Sequence, residues 1–101
     1  MIRAKIIGTG AYAPKRILTN ADLEKMVDTT DEWIFTRSGI RERRIAGPDE
    51  SLSTFAIPAA ERALEMAGVP GSEVNLVICA TVTPDMPFPA TANLIQDRIG
   101  G

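Results

Sequence analysis

Residues 74–82 read VNLVICATV, an almost uninterrupted apolar run. A strand with one wet face alternates apolar and polar side chains, and this run does not. It therefore reads as a strand covered on both faces, as in the parallel sheet of an α/β fold. A second short strand is expected at Ala4-Lys5-Ile6-Ile7, running into Gly8-Thr9-Gly10. Two central strands do not complete such a sheet, because parallel strands need neighbours and helices on both faces. The chain reads as the opening part of a larger α/β domain.

Helical signals fill much of the remainder. After the irregular AYAPKRILTN, Asn20 is placed to cap a helix carrying Leu23, Met26 and Val27 at helical spacing. A second helix is expected to begin near Thr29 or Thr30. Thr29 and Glu32 have capping-box spacing, Asp31 and Glu32 suit the positive end of the helix dipole, and Gly39 closes the helix. Leu52, Phe55, Ala59, Ala63 and Ala67 line one face of a longer helix over 51–68, with Pro58 marking either a kink or a restart. Pro84, Pro87 and Pro89 stiffen a loop before a last helix over 91–99. No internal repeat or low-complexity tract is present.

Composition removes several function classes. The chain has 101 residues, about one small domain, with 45% hydrophobic and 24% charged residues. No run approaches the roughly 20 apolar residues of a membrane span, and no signal-peptide apolar region precedes the first strand. A single cysteine forms no intrachain disulfide, and a reducing cytoplasm is its natural setting. The sequence pI near 5.0 opposes dedicated nucleic-acid binding. With no histidine there is no ready general base near neutral pH, no Cys–His pair and no zinc set. Neither a catalytic set nor a metal site is expected in this stretch.

Three motifs invite chemistry that their context opposes. Gly8 to Ala13 matches G-x-G-x-x-A, but a dinucleotide site needs a helix to follow directly, and Pro14 follows instead; a tight strand-end turn is expected. Cys79 sits mid-strand, where a thiol behaves as a small buried hydrophobe with little thiolate. Arg41-Glu42-Arg43-Arg44 is short and interrupted, and reads as a solvated face with surface ion pairs.

The segment DTTDEWIFTRSGIRERR, residues 28–44, carries the sole tryptophan and Arg37, Arg41, Arg43 and Arg44. On a helix from about residue 30, Trp33 and Arg37 lie four apart and share a face. An indole offers a plate for a nucleobase, and a guanidinium offers a fork for a phosphate. Stacking of about 1–3 kcal/mol and an arginine–phosphate bond of about 1.5–3 kcal/mol correspond to roughly millimolar binding. The other reading, a core tryptophan beside an exposed arginine, is the one these residues by themselves favour.

KIIGTGAYAP, TNADLEKMVDTTDEWIFTRSGIRERRIA, ALEMAG and ATVTPDMPFPATANLIQDRIG closely resemble the start of β-ketoacyl-acyl-carrier-protein synthase III, across the full 101 residues. The pattern D-T-x-D-E-W-I-x-T-R-x-G-I-x-E-R is long and specific. The resemblance implies a thiolase-like layered α/β/α fold, of which residues 1–101 are an incomplete N-terminal portion, and a homodimer. It implies a decarboxylative Claisen condensation of acyl-CoA with malonyl-acyl carrier protein, the first step of type II fatty-acid synthesis. Acyl-CoA is then a substrate, and no cofactor is called for. Carried over residue by residue, Trp33 stacks on the CoA adenine, Arg37 contacts the phosphate end, and Thr29 contributes at the same mouth. Ser38 stands where threonine is frequent. Phe88 reaches across the dimer to the partner's acyl pocket, its alternative being an ordinary interface or core phenylalanine. The family's catalytic cysteine, histidine and asparagine lie beyond residue 101, and Cys79 does not match that cysteine, so the segment alone is expected to be inactive. The alternatives are a related polyketide-priming ketosynthase and a non-catalytic fragment that pairs with the rest of the enzyme.

Overall fold

A computed structural model describes residues 2–101. They fall into two compact units, one built from residues 2–12 and 50–101 and the other from residues 13–49.

The smaller unit is a two-stranded antiparallel ribbon with two helices between its strands. Strand β1 (Arg16–Thr19) pairs with β2 (Glu42–Ile45) in the register Arg16↔Ile45 to Thr19↔Glu42. Sequence reading takes these segments for an irregular connection and a solvated charged face. Both are strands because each offers the other its ladder of backbone groups, a pairing between residues some 25 apart that local periodicity does not report. Helix α1 (Asn20–Glu24) starts one residue earlier than expected. Thr19 is its cap: the Asp22 N–H donates to Thr19 Oγ1 at 3.1 Å, and the Thr19 N–H donates to Asp22 Oδ2 at 3.0 Å. That backbone N–H, followed by the Thr19 hydroxyl, holds the Asp22 carboxyl below the ordinary carboxylate value. The helix is short, so Met26 and Val27 lie outside it and are exposed. Helix α2 (Asp31–Ser38) follows and ends on Gly39, whose φ of 73° is the left-handed conformation that glycine adopts freely.

In the larger unit, α3 (Leu52–Ala67) runs unbroken through Pro58, packs against α4 (Thr91–Ile99), and has a 3-10 turn (Gly71–Glu73) beside α4. Ile95 of α4 is the buried hydrophobic residue among those described. Gly8 and Gly10 run closely over α3, where a Cβ would come within 2.4 Å of the Ala63 carbonyl oxygen and 2.1 Å of the Ala59 carbonyl oxygen respectively. Neither glycine has a positive φ. The motif is thus a close-packed pass over the small-residue face Ala59–Ala63–Ala67, not a tight turn.

The expected strands at 4–7 and 74–82 form no ladder among the described residues. Leu76 is 75% and Ile78 81% exposed, so the run is not covered on both faces here. A strand exists as such only when a neighbour about 4.8 Å away takes up its N–H and C=O groups. Cys79 is half-buried and unbridged.

Candidate functional site

The smaller unit builds an open cavity of about 520 Å³ lined by Leu23, Val27, Asp28, Thr29, Thr30, Trp33 and Ile34. Its geometry begins with the start of α2. The N-cap is Thr30, whose Oγ1 accepts the Trp33 N–H at 3.1 Å, so the expected Thr29–Glu32 box does not form. Because Thr30 does the capping, Thr29 is free to line the cavity. One further donor at this end, the Asp31 N–H, is taken by Glu24 Oε1 at 2.7 Å.

Trp33 is 55% exposed, which overturns the core-tryptophan reading that its residue type favours. The Arg37 Cζ lies 4.7 Å from the indole centroid, one helical turn further along, as the i, i+4 spacing anticipates. The guanidinium rests on one part of the aromatic surface and keeps its hydrogen-bonding edges in water. The pair therefore offers a flat apolar plate with a positive charge fixed beside it. Such a plate takes a nucleobase by stacking, and such a charge takes a phosphate.

Thr29 and Trp33 thus meet at the cavity, and Arg37 joins them through the ring. Ser38 is turned to other work. Its hydroxyl donates to the Ile34 carbonyl at 2.6 Å and accepts the Ile40 N–H at 3.1 Å, closing the C-terminal end of α2. Phe88, in the larger unit, is 87% exposed.

The arginines after α2 differ from the expected solvated face. Arg41 does form a surface ion pair with Asp31, Nη1 to Oδ2 at 2.9 Å, and its Cζ sits 3.8 Å from the Phe35 ring centroid. Arg43 and Arg44 instead donate to backbone carbonyls, of Leu18 at 3.0 Å and Pro14 at 2.9 Å.

Sequence reasoning passed over two polar junctions. In the larger unit, the Asp85 carboxylate accepts from the Ser51 hydroxyl at 2.9 Å, the Ser53 N–H at 2.8 Å and the Ser53 hydroxyl, while its own N–H donates to Thr91 Oγ1 at 3.2 Å. The proline-rich loop bearing Phe88 is thereby tied to the starts of α3 and α4. Hydrogen bonding from the Ser53 hydroxyl, reinforced by its N–H and by Ser51, lowers the Asp85 pKa despite partial burial. A serine pair at a helix start with a distant aspartate was the available signal, but nothing local links residues 51–53 to residue 85. In the smaller unit, Asn20 is the other junction, 1% exposed and fully hydrogen-bonded.

Among the described residues, no group of three or more His, Cys, Asp or Glu is placed to hold a metal ion. No helix among the described residues is long and apolar enough to cross a membrane.

No family model matches the sequence. Individual relatives do. The β-ketoacyl-[acyl-carrier-protein] synthase III of Symbiobacterium thermophilum is 60% identical over 95 residues, which are 94% of this chain and 29% of the relative. That of Pectobacterium atrosepticum is 60% identical over 96 residues, 95% of this chain and 30% of the relative. Nearly the whole chain aligns with one portion of known β-ketoacyl-[acyl-carrier-protein] synthases III. It spans about 30% of the length of these synthase III relatives. The crystal structure of 3-oxoacyl-[acyl-carrier-protein] synthase III from Aquifex aeolicus superposes with a TM-score of 0.88 at 54% identity, over 95% of this chain and 31% of that one. The priming β-ketosynthase of the R1128 polyketide pathway superposes with a TM-score of 0.87 at 41% identity, over 95% of this chain and 29% of that one. The fold is accordingly α/β and thiolase-like, present here as a partial arrangement.

Proposed function

We propose that this chain is the N-terminal portion of a ketosynthase domain that condenses an acyl-CoA primer with malonyl-acyl carrier protein, with loss of CO2, to start type II fatty-acid synthesis in the cytoplasm. Residues 1–101 supply the CoA mouth and part of a homodimer interface, with no catalytic group among them. By itself the segment carries no condensing activity. Trp33 stacks on the adenine, Arg37 meets the phosphates, and Thr29 lines the mouth. Ser38 contributes by closing the helix that carries the other two. Phe88, solvent-facing in the single chain, belongs to the dimer contact and the partner's acyl pocket.

The observation that supports this reading is the half-exposed indole with Arg37 4.7 Å from its centroid at the rim of the Thr29 cavity. Replacing Trp33 with alanine in the full-length synthase removes about 1–3 kcal/mol of stacking, a rise of about 5- to 150-fold in KM for acyl-CoA. KM for malonyl-acyl carrier protein stays as it was. Unchanged acyl-CoA kinetics in that variant defeat the assignment of Trp33.

A second reading, a polyketide-priming synthase, draws support from the near-equal superposition on the R1128 priming enzyme. Either reading assigns Trp33 and Arg37 the same role. Turnover across short straight, branched and longer acyl-CoA primers separates them.

A further inference from the structure

Asn20 is the most buried residue of the smaller unit, and its side chain reaches both ends of α2. One Nδ2–H donates to Asp31 Oδ1 at 2.7 Å, at the first residue of the helix. The other donates to the Ile40 carbonyl at 2.8 Å, just past Gly39. Its Oδ1 accepts from Arg43 Nη2 at 2.6 Å, and Arg43 Nη1 in turn holds the Leu18 carbonyl of β1. The Asn20 N–H donates to the Arg41 carbonyl at 2.9 Å. Both amide hydrogens and the amide oxygen are used, so the side chain has one orientation that satisfies it.

The consequence concerns the residues between those two ends. Asp31 and Ile40 bracket Trp33 and Arg37, and the amide of Asn20 spans the bracket. Glu24, one turn after Asn20 on α1, takes the Asp31 N–H, so α1 grips the start of α2 at two points on one face. The Asp31–Arg41 ion pair closes the same loop from outside. Resting on the CoA-mouth reading above, we propose that Asn20 is a positioning residue for substrate: it fixes α2 at both ends and thereby sets where the indole and guanidinium stand over the Thr29 cavity.

Asn20→Asp tests this in the full-length synthase. The change keeps the shape and the acceptor for Arg43, removes both donors, and sets a carboxylate against Asp31 and the Ile40 carbonyl. Released from its bracket, α2 shifts, and KM for acyl-CoA rises about 10-fold or more while kcat stays within about 2-fold, since small misplacements carry penalties of that order. KM for malonyl-acyl carrier protein is unchanged. A purely structural role lowers the amount of folded enzyme, so apparent kcat falls and KM for acyl-CoA stays at the wild-type value; that result overturns the proposal. Where Asn20→Asp does not fold, Asp31→Ala cuts the same strut from its half-exposed end, and an unchanged acyl-CoA KM in it is equally fatal. Trp33→Ala, run alongside, separates the two claims. If it raises KM and the Asn20 variant does not, only the positioning role is lost. If neither moves KM, the CoA-mouth reading is lost and the positioning role with it.

Discussion

Asp85→Asn keeps the size and one oxygen of the side chain and removes its charge. The native carboxylate gathers three donors from the start of α3, with the Ser53 N–H on Oδ1 and both serine hydroxyls on Oδ2. With asparagine, the amide oxygen retains the N–H bond, and the two hydroxyls rotate to accept from the new NH2 group. The bond count survives and the charge assistance does not. Hydrogen bonds to charged groups contribute about 1.5–3 kcal/mol against about 0.5–1.5 for neutral ones, and a negative charge at a helix N-terminus adds about 0.3–1. The site is partly open to water, which places the loss toward the lower end, about 1–2 kcal/mol. Urea unfolding followed by helical circular dichroism at about pH 7 measures it as a shift in midpoint at constant slope.

The pH dependence tests the cause. The Asp85 pKa is lowered from its ordinary 3.8 in the folded state. Its stabilising contribution is therefore complete above that ordinary value and disappears as pH falls through the lowered native one. Wild type and Asp85→Asn converge in acid, where both side chains are neutral. A difference below about 0.5 kcal/mol at neutral pH, or one that persists undiminished in acid, refutes the charge argument.

Two further substitutions probe local geometry. Gly10→Ala drives a Cβ to 2.1 Å from the Ala59 carbonyl oxygen, a backbone atom that cannot step aside; a loss of about 1–3 kcal/mol or more is expected in thermal or urea unfolding. Thr30→Ala removes the hydroxyl that accepts the Trp33 N–H, with an expected cost of about 1 kcal/mol, whereas Thr29→Ala leaves the cap intact and stability nearly unchanged.

The helices were legible because their signals are local. Apolar spacing, the acidic first turn of α2 and the glycines at 39, 68 and 100 mark α2, α3 and α4 closely, and each of those glycines takes a left-handed φ. The ribbon of β1 and β2 was not legible, since its stability depends on pairing residue 16 with 45 rather than on either segment's pattern. The apolar run at 74–82 reads as a strand covered on both faces, whereas among the described residues it forms no ladder and leaves Leu76 and Ile78 exposed, because no neighbouring strand takes up its backbone groups. At the candidate site, the i, i+4 relation sufficed to bring Arg37 to Trp33. Exposure of the indole was beyond residue type alone, as were the choice of Thr30 over Thr29 as cap and the bonding of the Ser38 hydroxyl to the helix backbone. Each depends on how the chain passes around α2.

Trp33 has one more consequence, which comes from its solitude. It is the only tryptophan in the 101 residues, and it stands half in water with a guanidinium against its ring. Excited at wavelengths that spare Tyr12, the chain emits from one indole only, and that indole is on the rim of the Thr29 cavity. The segment carries its own optical gauge: the color and lifetime of its fluorescence describe the surroundings of a single side chain, with no label added and no background to subtract.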